Sequence, residues 1–282
     1  MNGDFQIQLR QNVGEDQNPY VDFDDLEIKN YISYDLGNDM TAFGRLDLDF
    51  KGHANDGATD QPIEEAYVGM QYRMVSGSIG RQNFAGDEFG VQAAYEAPLE
   101  EDRFDAEEVA GDDTLSFSAD LGNVFLLLTH ELKAENKPAA TTTGRYTDLF
   151  VSTELAGLTL AAAYQTQKPI GLDSVDTYGV SASYDFGIAS LGADYSSTDN
   201  SNTDVEASVL NVAATFDVTN TTGVAVGMQQ EEEDGSEDLT GWYANVTYKF
   251  PSARNVSTFA EVSDTDADND DMGFLAGMRV QF

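Results

Sequence analysis

The chain of 282 residues carries 51 acidic against 14 basic side chains, a formal net charge of -37. That excess repels phosphate, which excludes nucleic acid as a partner, and it argues against a soluble protein docking on anionic lipid. There is no cysteine, so a disulfide framework and a thiolate metal site are both excluded, and no run approaches the roughly 18 apolar residues of a spanning helix.

The longest apolar run is "VFLLL" at 124–128. The opening "MNGDFQIQL" has no basic and apolar leader, so any signal peptide is expected to have been removed or never present. From there, segments with period-two alternation recur along the whole chain. They predict strands over 3–13, 23–36, 40–50, 63–74, 77–82, 114–121, 123–133, 145–155, 157–167, 175–186, 187–196, 205–217, 223–231, 239–250, 254–263 and 272–282. The separators alternate strictly between two kinds. Short ones read as tight turns: "LGND" at 36–39, "VSGS" at 75–78, "LGN" at 121–123, "LAGL" at 155–158, "DFGI" at 185–188, "VTNTT" at 218–222 and "PSAR" at 251–254. Long, mostly acidic ones fill 14–22, 51–62, 83–113, 134–144, 168–174, 196–204, 231–238 and 264–271. Fifteen connections then join sixteen strands, with both termini at the short-turn end. An even antiparallel meander with turns at one end and long loops at the other is the layout of an outer-membrane barrel.

Sorting strands by parity gives one apolar face. In the second, Leu26, Ile28, Ile32, Tyr34 and Leu36 oppose Asp25, Glu27, Lys29, Ser33 and Asp35; in the third, Ala42, Leu46, Leu48 and Phe50 oppose Arg45, Asp47 and Asp49. In the last, "GFLAGMRVQF", Phe274, Ala276, Met278, Val280 and Phe282 share a face. A soluble sandwich would show the same alternation, so periodicity alone does not separate the two. Loop segregation does, together with aromatics near strand ends such as Tyr31 and Tyr34, Tyr184 and Phe186, and Tyr248 and Phe250, which suit interfacial girdles.

The final strand ending in Phe282, the "GSIGRQN" strand at 77–83 running into a loop containing "DEFG" at 87–90, and the strand count resemble the Gram-negative general porins over essentially the whole chain. The resemblance implies an all-β, sixteen-stranded transmembrane antiparallel barrel as a single domain over 1–282, a homotrimer in the outer membrane, and a third long loop, 83–113, folded into the lumen as a constriction. It also implies a basic wall cluster facing that loop, for which Arg10, Lys29, Arg45, Arg73 and Arg81 stand as candidates, and a terminal Phe282 read by the assembly machinery. Arg81 shares parity with Ile79, so its inward placement rests on the resemblance alone.

The loop's acids are Asp87, Glu88, Glu96, Glu100, Glu101, Asp102, Asp105, Glu107, Glu108, Asp112 and Asp113, against the single basic Arg103. Carboxylates facing guanidinium groups across a wet gap set up a transverse field. With "EEEDGSED" at 231–238 adding further negative charge, the expectation is a passive, cation-selective channel for ions and small hydrophilic solutes. The alternatives are a channel selective for one solute class and a non-transporting acidic surface protein or adhesin. "DTDADNDD" at 264–271 offers Asp264, Asp266 and Asp268 as hard oxygen ligands for a loose divalent site such as Ca2+, although Asn269 stands where the EF-hand turn needs glycine. Acidic loops could also meet the divalent cations that bridge lipopolysaccharide. His53 and His130 are far apart, and no nucleophile motif or phosphate-cradling glycine run is present, so neither an enzyme nor a required cofactor is expected.

Overall fold

The computed structural model describes residues 1–55, 62–106, 109–132, 145–169, 171–268 and 271–282. Among them sixteen strands follow in order: β1 (Asn2–Gln11), β2 (Tyr20–Gly37), β3 (Met40–Asp49), β4 (Ile63–Tyr72), β5 (Val75–Asn83), β6 (Ala110–Asp120), β7 (Val124–Glu131) and β8 (Arg145–Leu155) make the first half. The second half is β9 (Leu158–Lys168), β10 (Val175–Asp185), β11 (Ala189–Asn200), β12 (Val205–Thr219), β13 (Thr222–Glu233), β14 (Leu239–Phe250), β15 (Ala253–Thr265) and β16 (Gly273–Gln281). A single turn of helix, α1 (Lys51–Asn55), follows β3. Every strand pairs antiparallel with its neighbours in sequence, and β1 pairs with β16, so the sheet closes into a barrel without an edge. A closed barrel satisfies every backbone group within the sheet, which is the condition for crossing lipid with strands.

The parity expected from the sequence sorts onto the two sides of this wall. On β1, Phe5, Ile7 and Leu9 are exposed while Asp4, Gln6 and Gln8 are buried. The same inversion, apolar outside and polar inside, repeats through Val68 and Met70 on β4 and Val180 on β10. A soluble sandwich would hide the apolar set; here it forms the exterior, where hydrocarbon is the medium it fits. The seam is closed by the chain ends: Gly3 N–H donates to Phe282 O at 2.7 Å, and Phe282 N–H returns to Gly3 O at 3.0 Å. The Phe282 ring lies over Gly3, where a Cβ would overlap it, and edge-on to Phe5 at 5.4 Å.

Two local features depart from simple alternation. The turn expected at 75–78 belongs to β5, because Tyr72 pairs with Val75 and the reversal is made by Arg73 and Met74, Arg73 taking φ 54°. Gly77, which reads as a turn glycine, sits in the ladder opposite Met70. The second departure is a bulge on β2. Gln6 pairs with Asp25 but Ile7 pairs with Phe23, leaving Asp24 as the extra residue. The bulge shifts parity, so Asp22 and Asp24 reach the lumen alongside Asp25 and Glu27 instead of two of them facing lipid.

Candidate functional site

Strand β6 begins at Ala110, so the long loop after β5 runs over 84–109 and Asp112 and Asp113 belong to the wall. Glu107 and Glu108 lie outside the described residues. The loop crosses the lumen, and inward side chains of the far wall receive its backbone N–H groups. Ala85 donates to Thr129 Oγ1 at 2.9 Å, Gly86 to Asp148 Oδ2 at 3.2 Å and Val91 to Asp194 Oδ2 at 2.9 Å. Further along, Ala93 donates to the Tyr243 hydroxyl at 2.8 Å, and both Tyr95 and Glu96 donate to Glu261, at 2.7 and 2.9 Å. On the return, Leu99 donates to Gln229 and Arg103 to Ser196. A loop whose regular structure, among the described residues, is one short 3-10 turn at Ala85–Glu88 is thereby supplied with acceptors, which is what backbone groups removed from bulk water require.

Packing fixes the same path. Gly179, Gly192 and Gly241 leave notches in the wall that take Phe89 with Phe104, Val91, and Pro98 with Leu99, respectively; a Cβ at Gly179 would lie 2.6 Å from the Phe89 ring and 2.9 Å from Phe104. Ala85, Phe89 and Phe104 join Phe150 and Ala163 in an apolar cluster inside the barrel, flanked by Phe125 and Leu127. This explains why "VFLLL" is apolar on both parities: one face meets lipid and the other meets the loop. Tyr95 stacks on Phe259 with centroids 4.0 Å apart. The loop is an inner lining of the wall from Thr129 on β7 to Glu261 on β15.

The predicted acids divide by environment. Asp87, Glu88, Glu100, Glu101 and Asp105 are exposed on the loop. Asp102 is only 4% exposed and caps the N–H groups of Phe104 and Asp105; burial outweighs those bonds and pushes its pKa up to about 7. Burial also raises Asp87, Glu88 and Glu96, with Arg10 pulling Glu96 back down. Glu96 reaches β1, where it accepts from Gln8 and Arg10.

Of the basic candidates, Arg10 meets Glu96 and Asp22, the latter at 3.0 Å. Lys29 meets Glu27, and Arg45 meets Asp47 at 2.6 Å and Glu65 at 2.8 Å. Arg81 shares the face of Ile79, donates from Nε to Glu64 O and pairs with Asp112, while Gln82 is the buried neighbour bonded to Thr114 O. The placement of Arg73 in the constriction is corrected: it lies in the β4–β5 turn at the short-turn rim, paired with Asp39 at 3.0 Å, because the strand ends one residue before it. Arg279, absent from the candidates, holds Asp4 and Asp25 on the lumen wall. Asp264 caps Thr265 N–H and Asp266 caps Thr240 N–H, and these two do not converge with Asp268; Asn269 lies outside the described residues. Asp22, Asp24 and Glu96 do converge, with carboxylate oxygens within 4.8 Å of one another.

A closed barrel with an apolar exterior, a polar lumen and a loop bound across that lumen defines an outer-membrane channel protein. Residues 3–270 match the family model described as Gram-negative porin, and the chain belongs to that family. It is 24% identical to "Porin-like protein H" of Photobacterium profundum over 310 residues, covering all of this chain and 90% of the relative. Among solved structures it is similar to the trimer form of OmpT, an outer membrane protein of Vibrio cholerae, at a TM-score of 0.78 and 18% identity, covering 100% of this chain and 99% of that one. It is also similar to the anion-selective porin from Comamonas acidovorans at a TM-score of 0.79 and 13% identity, covering 100% and 99%. The protein is therefore an outer-membrane, non-enzymatic channel for passive diffusion in a Gram-negative bacterium.

Proposed function

We propose that the channel favours cations and passes small hydrophilic solutes without a saturable binding step, as a homotrimer. Because an anion-selective porin shares the fold, selectivity is a matter of which charges stand in the water path and not of the barrel. The observation that carries the reading is the imbalance of those charges. Arg10, Lys29, Arg45 and Arg279 each hold a carboxylate of the wall or the loop tip. Asp87, Glu88, Glu100 and Glu101 lie exposed, joined by Asp105 at a pH above about 8, where partial burial and the neighbouring Asp102 hold its carboxyl, and none has a wall cation as ion-pair partner among the described residues. A low-dielectric wall focuses that field into the lumen and raises the local cation concentration. The trimer form of the Vibrio cholerae relative supports the assembly state. The acidic long-loop end, with "EEEDGSED", supports contact with lipopolysaccharide through divalent cations. Reversal potentials across a planar bilayer with a KCl gradient test the selectivity; a preference for chloride overturns it.

A further inference from the structure

The exterior of β8 and β9 changes character along the strands in a way the diffusion pathway does not use. Alternate residues face outward, so each level is a cross-strand pair. Val151 lies opposite Ala162, and toward the long-loop end Leu149 lies opposite Tyr164, both exposed. Thr147 opposite Thr166 comes next, with His130 Nδ1 of β7 2.8 Å from the Thr147 hydroxyl, and the last level sets Arg145 opposite Lys168. Apolar, aromatic, hydroxyl and cation follow in the order in which hydrocarbon gives way to headgroups. The cations stand four residues, roughly 13 Å of strand, beyond Leu149 and Tyr164.

That last pair is the anomaly. Like charges directly opposite each other on neighbouring strands repel. In a chain with 51 acidic side chains, neither Arg145 nor Lys168 makes an ion pair among the described residues. Asp176, beside them on β10 and opposite Thr166, is held instead by the Tyr164 hydroxyl at 2.7 Å and by Ser174 at 2.8 Å. Acids bound the pair on both flanks, Asp113 of β6 on one side and Asp199 of β11 with Glu206 of β12 on the other. Two adjacent cations above a shelf of hydroxyls and an apolar wall fit an anion carried on a hydrocarbon tail.

We propose that Arg145 and Lys168 together hold one phosphate of a lipopolysaccharide molecule in the outer leaflet, with an acyl chain lying along Leu149 and Val151. The guanidinium fork takes two phosphate oxygens, and the ammonium acts as a point charge beside it. This rests on the proposed contact with lipopolysaccharide, but here the protein supplies the counter-charge itself and needs no divalent cation.

Native mass spectrometry of the folded protein in detergent, titrated with bisphosphorylated lipid A in the presence of EDTA, should show a saturable lipid adduct. Arg145→Gln and Lys168→Gln should each weaken it about fivefold and the double change roughly 25-fold, the effect of basic side chains at an anionic lipid surface, with strand content by circular dichroism unchanged. Lipid A stripped of its phosphates should bind the unmodified protein no better than intact lipid A binds the double variant. Arg254→Gln, at the short-turn rim, should change nothing. An unchanged affinity in the double variant, or equal binding of the stripped lipid, would overturn the proposal. So would competition by inorganic phosphate at the concentration of the lipid, which marks a free-phosphate site, or dissociation of the assembly in the double variant, which marks a second copy as the occupant. Binding that is absent in EDTA and appears with calcium would also overturn it, while leaving the divalent-bridged contact standing; binding that resists EDTA and is lost in the double variant supports it whatever becomes of that contact.

Discussion

The loop's seat rests on glycine notches, and Gly179→Ala tests that directly. The added methyl would meet the Phe89 ring at 2.6 Å and the Phe104 ring at 2.9 Å. The backbone at Gly179 cannot retreat, because it is held in the ladder by Ala163 on one side and Ser196 on the other. The rings must therefore move, and overpacking of this kind costs roughly 1–3 kcal/mol. Against it stand the burial of the two rings, roughly 1.5–3 kcal/mol each, and a net contribution of about 0.5–1.5 kcal/mol for each backbone hydrogen bond from the loop. The loop should stay attached on average while its displaced population grows about five- to 150-fold, at roughly 1.4 kcal/mol per factor of ten. Single-channel recordings should show a noisier open state with excursions to higher conductance. Phe89→Ala in the same chain removes the closer of the two clashes and gives the Phe104 ring room to yield, so the double variant should be quieter than the sum of the two single changes predicts. Val180→Ala, on the lipid face of the same strand, should leave the trace unaltered. A quiet, unchanged Gly179→Ala channel would show that the loop is not seated in the notch.

Three further outcomes follow from the same geometry. On the proposed selectivity, cation preference should begin to fall as pH drops through about 8, because partial burial, with the neighbouring Asp102, holds the Asp105 carboxyl there; Asp105→Asn should move the onset of the fall to lower pH, and reversal potentials against pH would read it. For buried Asp102 the sign for stability is the opposite of the usual carboxylate: with the unfolded value at 3.8 and the folded one raised to about 7, loop seating weakens as pH rises from about 4 to about 7 and acid restores it, which noise analysis against pH would check. Deleting Phe282, or Gly3→Val, should impair membrane assembly in cells more than the conductance of molecules that do assemble, since both break the β1–β16 seam and leave the lumen intact; normal insertion of the truncated chain would refute this.

The barrel was legible because its rule is local. Alternation with period two assigns each residue to lipid or lumen without knowledge of its partner, and an even count of antiparallel strands leaves the first and last oriented to pair antiparallel, as β1 and β16 do. What failed was where the rule is locally broken. "VSGS" has the composition of a turn, but the two-residue reversal at Arg73 and Met74 carries no glycine, so composition pointed to the wrong place. The β2 bulge did leave a signal. In "DFDDLE" acids occupy both parities, and Asp24 shares the parity of Leu26 and Ile28, which would aim a carboxylate at lipid. A charge on that face is costly enough to favour a parity switch.

The seat of the loop was legible only in half. That Asp148, Asp194 and Glu261 face the lumen follows from their parity, and three acids on the wall opposite the expected basic cluster could be read as pore charges. Their partners are backbone N–H groups of a segment 62 to 166 residues away in sequence, and a backbone amide has no signature in the sequence. The glycines give the missing half. Gly179, Gly192 and Gly241 stand at inward positions of strands, where glycine weakens a sheet unless another chain segment approaches closely. Three luminal notches beside three luminal carboxylates therefore imply a backbone lying against that wall, with apolar side chains entering the notches and N–H groups turned to the acids. On this reasoning the acids of β8, β11 and β15 position the constriction, and under the proposed cation preference it is the exposed carboxylates of the loop that are left to act on ions.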